Sequence, residues 1–194
     1  AGVDIVDGSY GPVLHGNTVR IVDPESGEIV PLGHTGEIVV KGPTLSSGYL
    51  QIPVEEMVDG EGFFHTADAG YLSPTGTLFW KGRLSDIIKT GGANVSPSEI
   101  DAVLAQHPAV KDAYTIGVPH DTLGELVVSV IVRHDGQELD EPALKDFARA
   151  SLASYKVPRA VLFFSEDELP TTGSNKVRRS ELRKIAAQRL AEMI

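Results

Sequence analysis

The sequence predicts an α+β protein: a β-barrel-like N-terminal segment followed by a small α+β domain with helices packed on a short mixed sheet. Three observations predict it. Residues 1–82 hold short β-branched runs separated by Gly and Pro, with no amphipathic helical stretch. From residue 83 onward, helical and strand patterns alternate. The charge divides at the same place, with 3 Lys/Arg against 11 Asp/Glu in residues 1–82 and 14 against 16 in residues 83–194.

Taken in order, residues 18–22 and 37–41 read as antiparallel strands broken by Pro24, Gly27, Gly33, Gly36, Gly42 and Pro43. Residues 77–80 and 86–89 read as the arms of a hairpin joined by residues 82–85. Ser96, with Pro97 and Glu99 after it, has the form of a capping box, and Ile100, Val103 and Leu104 share one helical face until Pro108 stops the helix. Residues 110–118, 126–132 and 161–164 are strands, the second apolar enough to be buried on both faces. Leu144, Phe147, Ala148 and Leu152 mark an amphipathic helix begun near Asp140. A last helix from about Ser180 turns Leu182, Ile185, Ala186 and Leu190 inward, with Arg183, Lys184 and Arg189 outward.

Composition narrows the chemistry. The 194 residues include no Cys, which excludes disulfides and thiolate metal sites, and the six His show no paired ligand spacing, so no metal site is expected. A formal net charge of -10 disfavours nucleic acid and a polybasic membrane contact, because both need a cationic surplus. No apolar run reaches transmembrane length, and the first five residues lack the pattern of a secretory signal, so a cytoplasmic protein is expected. Position 1 is Ala rather than Met, as expected for a piece of a longer chain.

Four segments are richer in polar, Gly or charged residues than their structural context requires. Asp68 follows an aromatic run and can accept two hydrogen bonds from a vicinal diol such as a ribose, or serve as a turn residue. Arg83 offers a five-donor fork suited to ribose oxygens, phosphate or carboxylate, or a solvated turn with a surface ion pair. Gly91 and Gly92, read as lying just before a helix N-terminus, permit close passage of a ligand or simply a tight turn. Lys176 closes a small polar loop that could deliver a point charge to an oxygen-rich transition state; a solvated surface lysine is the plainer reading.

In their fixed order these segments carry a resemblance. Residues 36–42 with Gly48, Tyr49 and Leu50, the run Phe64-His65-Thr66-Ala67-Asp68, residues 82–89 through Glu99-Ile100, and residues 152–158 with 170–183 resemble the C-terminal motifs of adenylate-forming enzymes, the superfamily of acyl-CoA synthetases, luciferases and peptide-synthetase adenylation domains. The resemblance covers nearly all of the chain. It implies that residues 1–84 are the β-rich terminal part of a large N-terminal domain, and residues 85–194 a mobile C-terminal domain hinged at Ser85. It implies Asp68 and Arg83 on the ATP ribose, Lys176 as the catalytic cation of adenylation, and Gly91 and Gly92 beside the pantetheine path of coenzyme A.

The reaction so implied joins a carboxylic acid to coenzyme A through acyl-AMP, with ATP and Mg2+ bound mainly by the missing N-terminal domain, so that the fragment alone is inactive. A carrier-protein-dependent adenylation domain and a non-catalytic binding module of the same fold are the alternatives. Three positions depart from the motifs. Ser85 stands where the family usually has Asp or Lys. Ala67 stands for a Gly, which is harmless only at negative φ, and Asn175 stands for another Gly, where Asn readily turns left-handed.

Overall fold

The computed structural model describes residues 8–46, 48 and 56–193. They form two compact units that divide after Ser85. The α+β class is as the sequence predicts, with two sheets and three helices among the described residues.

The first unit is an open antiparallel sheet of order β1-β5-β4-β3-β2, built from β1 (Gly11–Pro12), β2 (Thr18–Val22), β3 (Gly36–Lys41), β4 (Phe64–Leu72) and β5 (Thr77–Arg83). Edge strands β1 and β2 are not paired with each other, so the described strands do not close into a barrel. Ile21, Val22, Ile38, Val39, Phe63 and Ala69 are buried in it, as expected of β-branched and aromatic side chains on a pleated, half-buried surface. Arg20 lies over the Phe63 ring at 4.3 Å and pairs with Glu61 at 2.6 Å.

The second unit contains β6 (Ile88–Thr90), β7 (Ala93–Val95), α1 (Pro97–Leu104), β8 (Val110–His120), β9 (Gly124–Arg133), α2 (Glu141–Arg149), β10 (Ala160–Phe164) and α3 (Arg179–Ala191). Strand β9 is its centre, antiparallel to β8 on one side and parallel to β10 on the other, with β6 and then β7 continuing the sheet. Its apolar run is explained by burial on both faces. Val127 and Ile131 meet Ile100 and Leu104 of α1 and Leu144 and Ala148 of α2, whereas Val128 and Val130 meet Leu182 and Ala186 of α3. Leu104, Leu144 and Leu182 are wholly buried, each contributing about 2 kcal/mol of hydrophobic stabilisation.

Several local expectations are corrected. Residues 77–80 and 86–89 are not arms of one hairpin: β5 pairs with β4 and β1 in the first sheet, while β6 pairs with β7 and β9 in the second. The polar connector contains instead a 3₁₀ turn at Leu84–Asp86. Ser96 is the N-cap of α1, but its side chain makes no cap bond; its hydroxyl meets Ser98 at 2.9 Å, and Glu99 is drawn to Lys156 at 2.6 Å. Asp140 does cap α2, accepting from the Ala143 amide at 2.9 Å. Ile185 is 37% exposed rather than inward. Arg183 is not simply outward either, since it pairs with Glu125 of β9.

Candidate functional site

The first unit gathers Asp68 and Arg83 through two irregularities in its sheet. Between the pairs Glu37↔Ala69 and Val39↔His65, β3 contributes only Ile38 while β4 contributes Thr66, Ala67 and Asp68, so β4 bulges outward. A second register shift follows where β4 passes from Ala69 to Gly70 against β5. Asp68 and Arg83 end up directly opposite across the β4–β5 ladder.

Side chains and backbone on three strands hold the bulge. Thr66 Oγ1 donates to the Ile38 carbonyl at 2.7 Å and accepts from the Asp68 amide at 3.1 Å. The Arg83 guanidinium donates through Nη1 to the Thr66 carbonyl at 3.1 Å, and its Nε lies 3.2 Å from Asp68 Oδ1. That second approach is an ion pair by distance without the direction of a hydrogen bond. Asp68 Oδ1 is buried and has no hydrogen-bond partner among the described residues. Oδ1 is shielded against the guanidinium, while the Asp68 side chain as a whole remains 26% exposed, so the rest of the carboxylate is open to a ligand hydroxyl.

Ala67 does not stay at negative φ, as the reading of its substitution requires; it adopts the left-handed region at φ 56°. Glu37 supplies a compensating contact. Its buried carboxylate accepts from the Ala67 amide through Oε1 at 2.9 Å and from His65 Nδ1 through Oε2 at 2.8 Å. The Glu37 carboxylate beside it raises the His65 imidazole above its ordinary value, with Asp59 adding to the effect against partial burial. Asp59 is itself held below the usual carboxylate range, chiefly by the Phe63 amide.

The second unit carries Lys176 on a loop closed by the Asn175 amide donating to the Thr172 carbonyl at 2.9 Å and the Thr172 amide donating to the Lys176 carbonyl at 2.8 Å. Asn175 takes φ 59°, the left-handed residue that such a three-residue loop needs at its end. A bridge between Thr171 and Val177 completes the stem. The Lys176 side chain is exposed, and its ammonium meets no carboxylate among the described residues.

Just beyond the loop, Arg179 fastens the start of α3. It donates to the Thr115 carbonyl of β8 at 2.6 Å and to Asp101 of α1 at 2.8 Å, with Asp86 4.0 Å away. Burial pushes the Asp101 carboxyl above the usual range, and Arg179 opposes that shift. Ser85 sits in the 3₁₀ turn as the last residue of the first unit.

Gly91 and Gly92 form the two-residue turn between β6 and β7 at φ 55° and 80°. Both φ values are positive, the pattern of a type I′ hairpin turn, which accounts for the glycines without any ligand. They do not adjoin the helix N-terminus directly, because β7 intervenes before α1. Tyr49 and Leu50 lie outside the described residues.

Two family descriptions match this chain: "AMP-binding enzyme C-terminal domain" over residues 99–176 and "AMP-binding enzyme" over residues 3–50. The chain belongs to the adenylate-forming superfamily. Among curated relatives it is 35% identical over 182 residues to a 4-coumarate–CoA ligase of Vanilla planifolia, covering 93% of this chain and 32% of that protein. It is 38% identical over 180 residues to a 2-succinylbenzoate–CoA ligase of Geobacillus sp. (strain WCH70), covering 92% and 36%. Among solved structures, ATP-bound MatB from Rhodopseudomonas palustris matches with a TM-score of 0.81 at 37% identity, covering 95% of this chain and 37% of that one. The chain thus spans about a third of the length of the relatives it matches.

Glu37, His65 and Arg179 lie within the motifs quoted from the sequence and Asp101 directly follows one, yet nothing local in the sequence marks a role for any of the four. Glu37 and His65 are 28 positions apart and Asp101 and Arg179 are 78 apart, so only the folded ladder and helix packing bring them together.

Proposed function

We propose that this chain is the C-terminal third of an ATP-dependent carboxylate–CoA ligase. The observation that carries the reading is Asp68 held opposite Arg83 across the β4–β5 ladder, with carboxylate and guanidinium side by side and both partly exposed, an arrangement that suits a ribose diol. In this reading residues 1–84 end the large N-terminal domain and residues 85–194 are the mobile domain, with Ser85 as the hinge. No helix among the described residues is long and apolar enough to cross a membrane. We place the enzyme in the cytoplasm, where ATP and coenzyme A are supplied.

The chemistry has two steps. An oxygen of the substrate carboxylate bonds to the α-phosphorus of ATP as the bond to the bridging oxygen breaks, giving acyl-AMP and releasing pyrophosphate. The thiol of coenzyme A then loses its proton and attacks the acyl carbon, and AMP leaves. Asp68 and Arg83 fix the nucleotide through its ribose. Lys176 supplies positive charge where negative charge grows on the oxygens in the first step, a task suited to an ammonium with no competing carboxylate among the described residues. Gly91 and Gly92 border the pantetheine path.

Mg2+ would accompany the ATP phosphates and neutralise their charge. Among the described residues no three His, Asp or Glu groups converge to hold a metal, so its ligands are assigned to the remainder of the enzyme and no step of this chain runs through it.

The test uses the full-length enzyme. Lys176→Ala is expected to slow acid-dependent pyrophosphate release by about 10²–10³-fold while leaving thioester formation from supplied acyl-AMP nearly intact. Equal loss in both half-reactions overturns the assignment. The 194-residue chain by itself is expected to release no pyrophosphate, and replacing coenzyme A by a phosphopantetheinyl carrier protein identifies the acceptor.

A further inference from the structure

We propose that Glu37 and His65 are positioning residues for Asp68: together they clamp the left-handed turn of the β4 bulge and so set the enzyme's affinity for ATP. The inference rests on the reading of Asp68 as the ribose-binding carboxylate and adds to it the groups that hold Asp68 in place and the pH at which they release it.

The clamp follows from one buried side chain with two tasks. Glu37 is 8% exposed, and its two oxygens are divided between the Ala67 amide and the His65 ring, so it grips the bulge on both sides of Thr66. Ala67 is an L-residue held at φ 56°, a conformation it would leave without an outside contact, and it immediately precedes Asp68. Thr66 passes the constraint on, since its hydroxyl is fixed to the Ile38 carbonyl and accepts the Asp68 amide. Displacing the Ala67 amide therefore turns the peptide that carries Asp68.

A buried carboxylate is stable only beside a countercharge or a full set of donors. His65 supplies that charge when protonated, and its second nitrogen, Nε2, faces Asp59 at 3.5 Å. The surrounding charges are accounted for. Asp59 accepts from the Phe63 and Glu61 amides, Glu61 pairs with Arg20 of β2, Lys41 of β3 donates to the Glu61 carbonyl, and Arg83 of β5 is bound to Thr66 and Asp68. None of these cations bonds to Glu37, so His65 is its charged partner among the described residues. Both carboxylates facing the ring favour its protonated form and place its titration above the ordinary histidine value. As pH rises through that titration Glu37 loses its countercharge, water is drawn to the carboxylate, and the hold on Ala67 loosens.

The experiment measures KM for ATP and kcat for acid-dependent pyrophosphate release in the full-length enzyme from pH 6 to 9, for wild type, Glu37→Gln, His65→Gln and Asp68→Ala. Wild-type KM for ATP is expected to rise several-fold with pH along the His65 titration followed by NMR. Glu37→Gln should raise KM about tenfold with kcat within about twofold, because it weakens positioning and leaves the reacting atoms alone. His65→Gln should give a raised KM that no longer changes with pH. A KM profile in His65→Gln identical to wild type, or a Glu37→Gln enzyme with lower melting temperature but unchanged KM, overturns the inference. If Glu37→Gln does not fold, the half-exposed His65 variant alone decides. Asp68→Ala separates the two layers: an unchanged KM for ATP there removes the nucleotide reading itself, whereas a raised KM beside silent Glu37 and His65 variants removes only the clamp.

Discussion

Ala67→Gly should make the first unit more stable. Ala67 sits at φ 56°, where an L-residue is disfavoured by about 1–2 kcal/mol. Its methyl group is exposed, so removing it sacrifices no buried surface. Glycine adds unfolded-state entropy worth about 0.4–1 kcal/mol in the opposite direction. The difference leaves Ala67→Gly more stable by about 0.5–1 kcal/mol. Asn175 at φ 59° is the internal comparison: Asn tolerates the left-handed well, so Asn175→Gly should be close to neutral. Ala67→Val should cost about 1–2 kcal/mol, because a β-branched residue is a steric outlier there. Equilibrium urea denaturation followed by Trp80 fluorescence reads the first unit, since this chain has a single Trp and it lies in β5; far-UV circular dichroism reads the Asn175 variant. A destabilised Ala67→Gly chain, or a gain at Asn175 larger than at Ala67, refutes the argument that residue 67 is strained.

Two further outcomes follow from the second unit. Glu168 is held down to about 2 by the Arg189 guanidinium and the Ser165 amide; a lowered folded-state value means its stabilisation is present above the ordinary carboxylate range and lost as pH falls through the folded value. Because both partners are more than a third exposed, Glu168→Gln should cost only about 1 kcal/mol at neutral pH, and that difference should vanish in thermal melts between about pH 4.5 and pH 2. Thr115 and Ser129 share a 2.7 Å hydroxyl bond with both side chains fully buried, so Thr115→Val should cost about 1–3 kcal/mol by stranding Ser129. Adding Ser129→Ala should cost little more or recover part of the loss, and full additivity in urea titrations would contradict the pairing.

What was legible in the sequence depended on periodicity and on local chemistry. The unbroken apolar run of β9 announces burial on both faces, and Asp140 marks the start of α2, because both signals are carried within a few residues. Residues 82–85 resemble a hairpin connector because Gly and polar residues suit a turn, an end of strand and a passage between units equally well; which sheet a strand joins is set by partners 3 to 67 positions away. The capping box at Ser96 fails for a similar reason, since Glu99 finds Lys156 in the folded chain. At the candidate site the polar residues Asp68, Arg83 and Lys176 were visible as types in a pattern. The residues that hold the bulge and the lysine loop were not, because a buried Glu37 inside a β-branched run reads as an ordinary strand position until β4 is laid beside it.

At two positions where the resemblance implies glycine, another residue holds left-handed backbone. Ala67 and Asn175 are the non-glycine residues at positive φ among the described residues, and each directly precedes a residue assigned to chemistry, Asp68 and Lys176. At Asn175 the loop closure itself requires the left-handed residue, and Asn meets that demand at little cost. At Ala67 nothing in the residue favours the conformation; the Glu37 carboxylate and the three-against-one register of β4 on β3 impose it. Strain of this kind persists only where surrounding structure over-determines it. The bulge is therefore specified by tertiary contacts rather than by the freedom of a glycine.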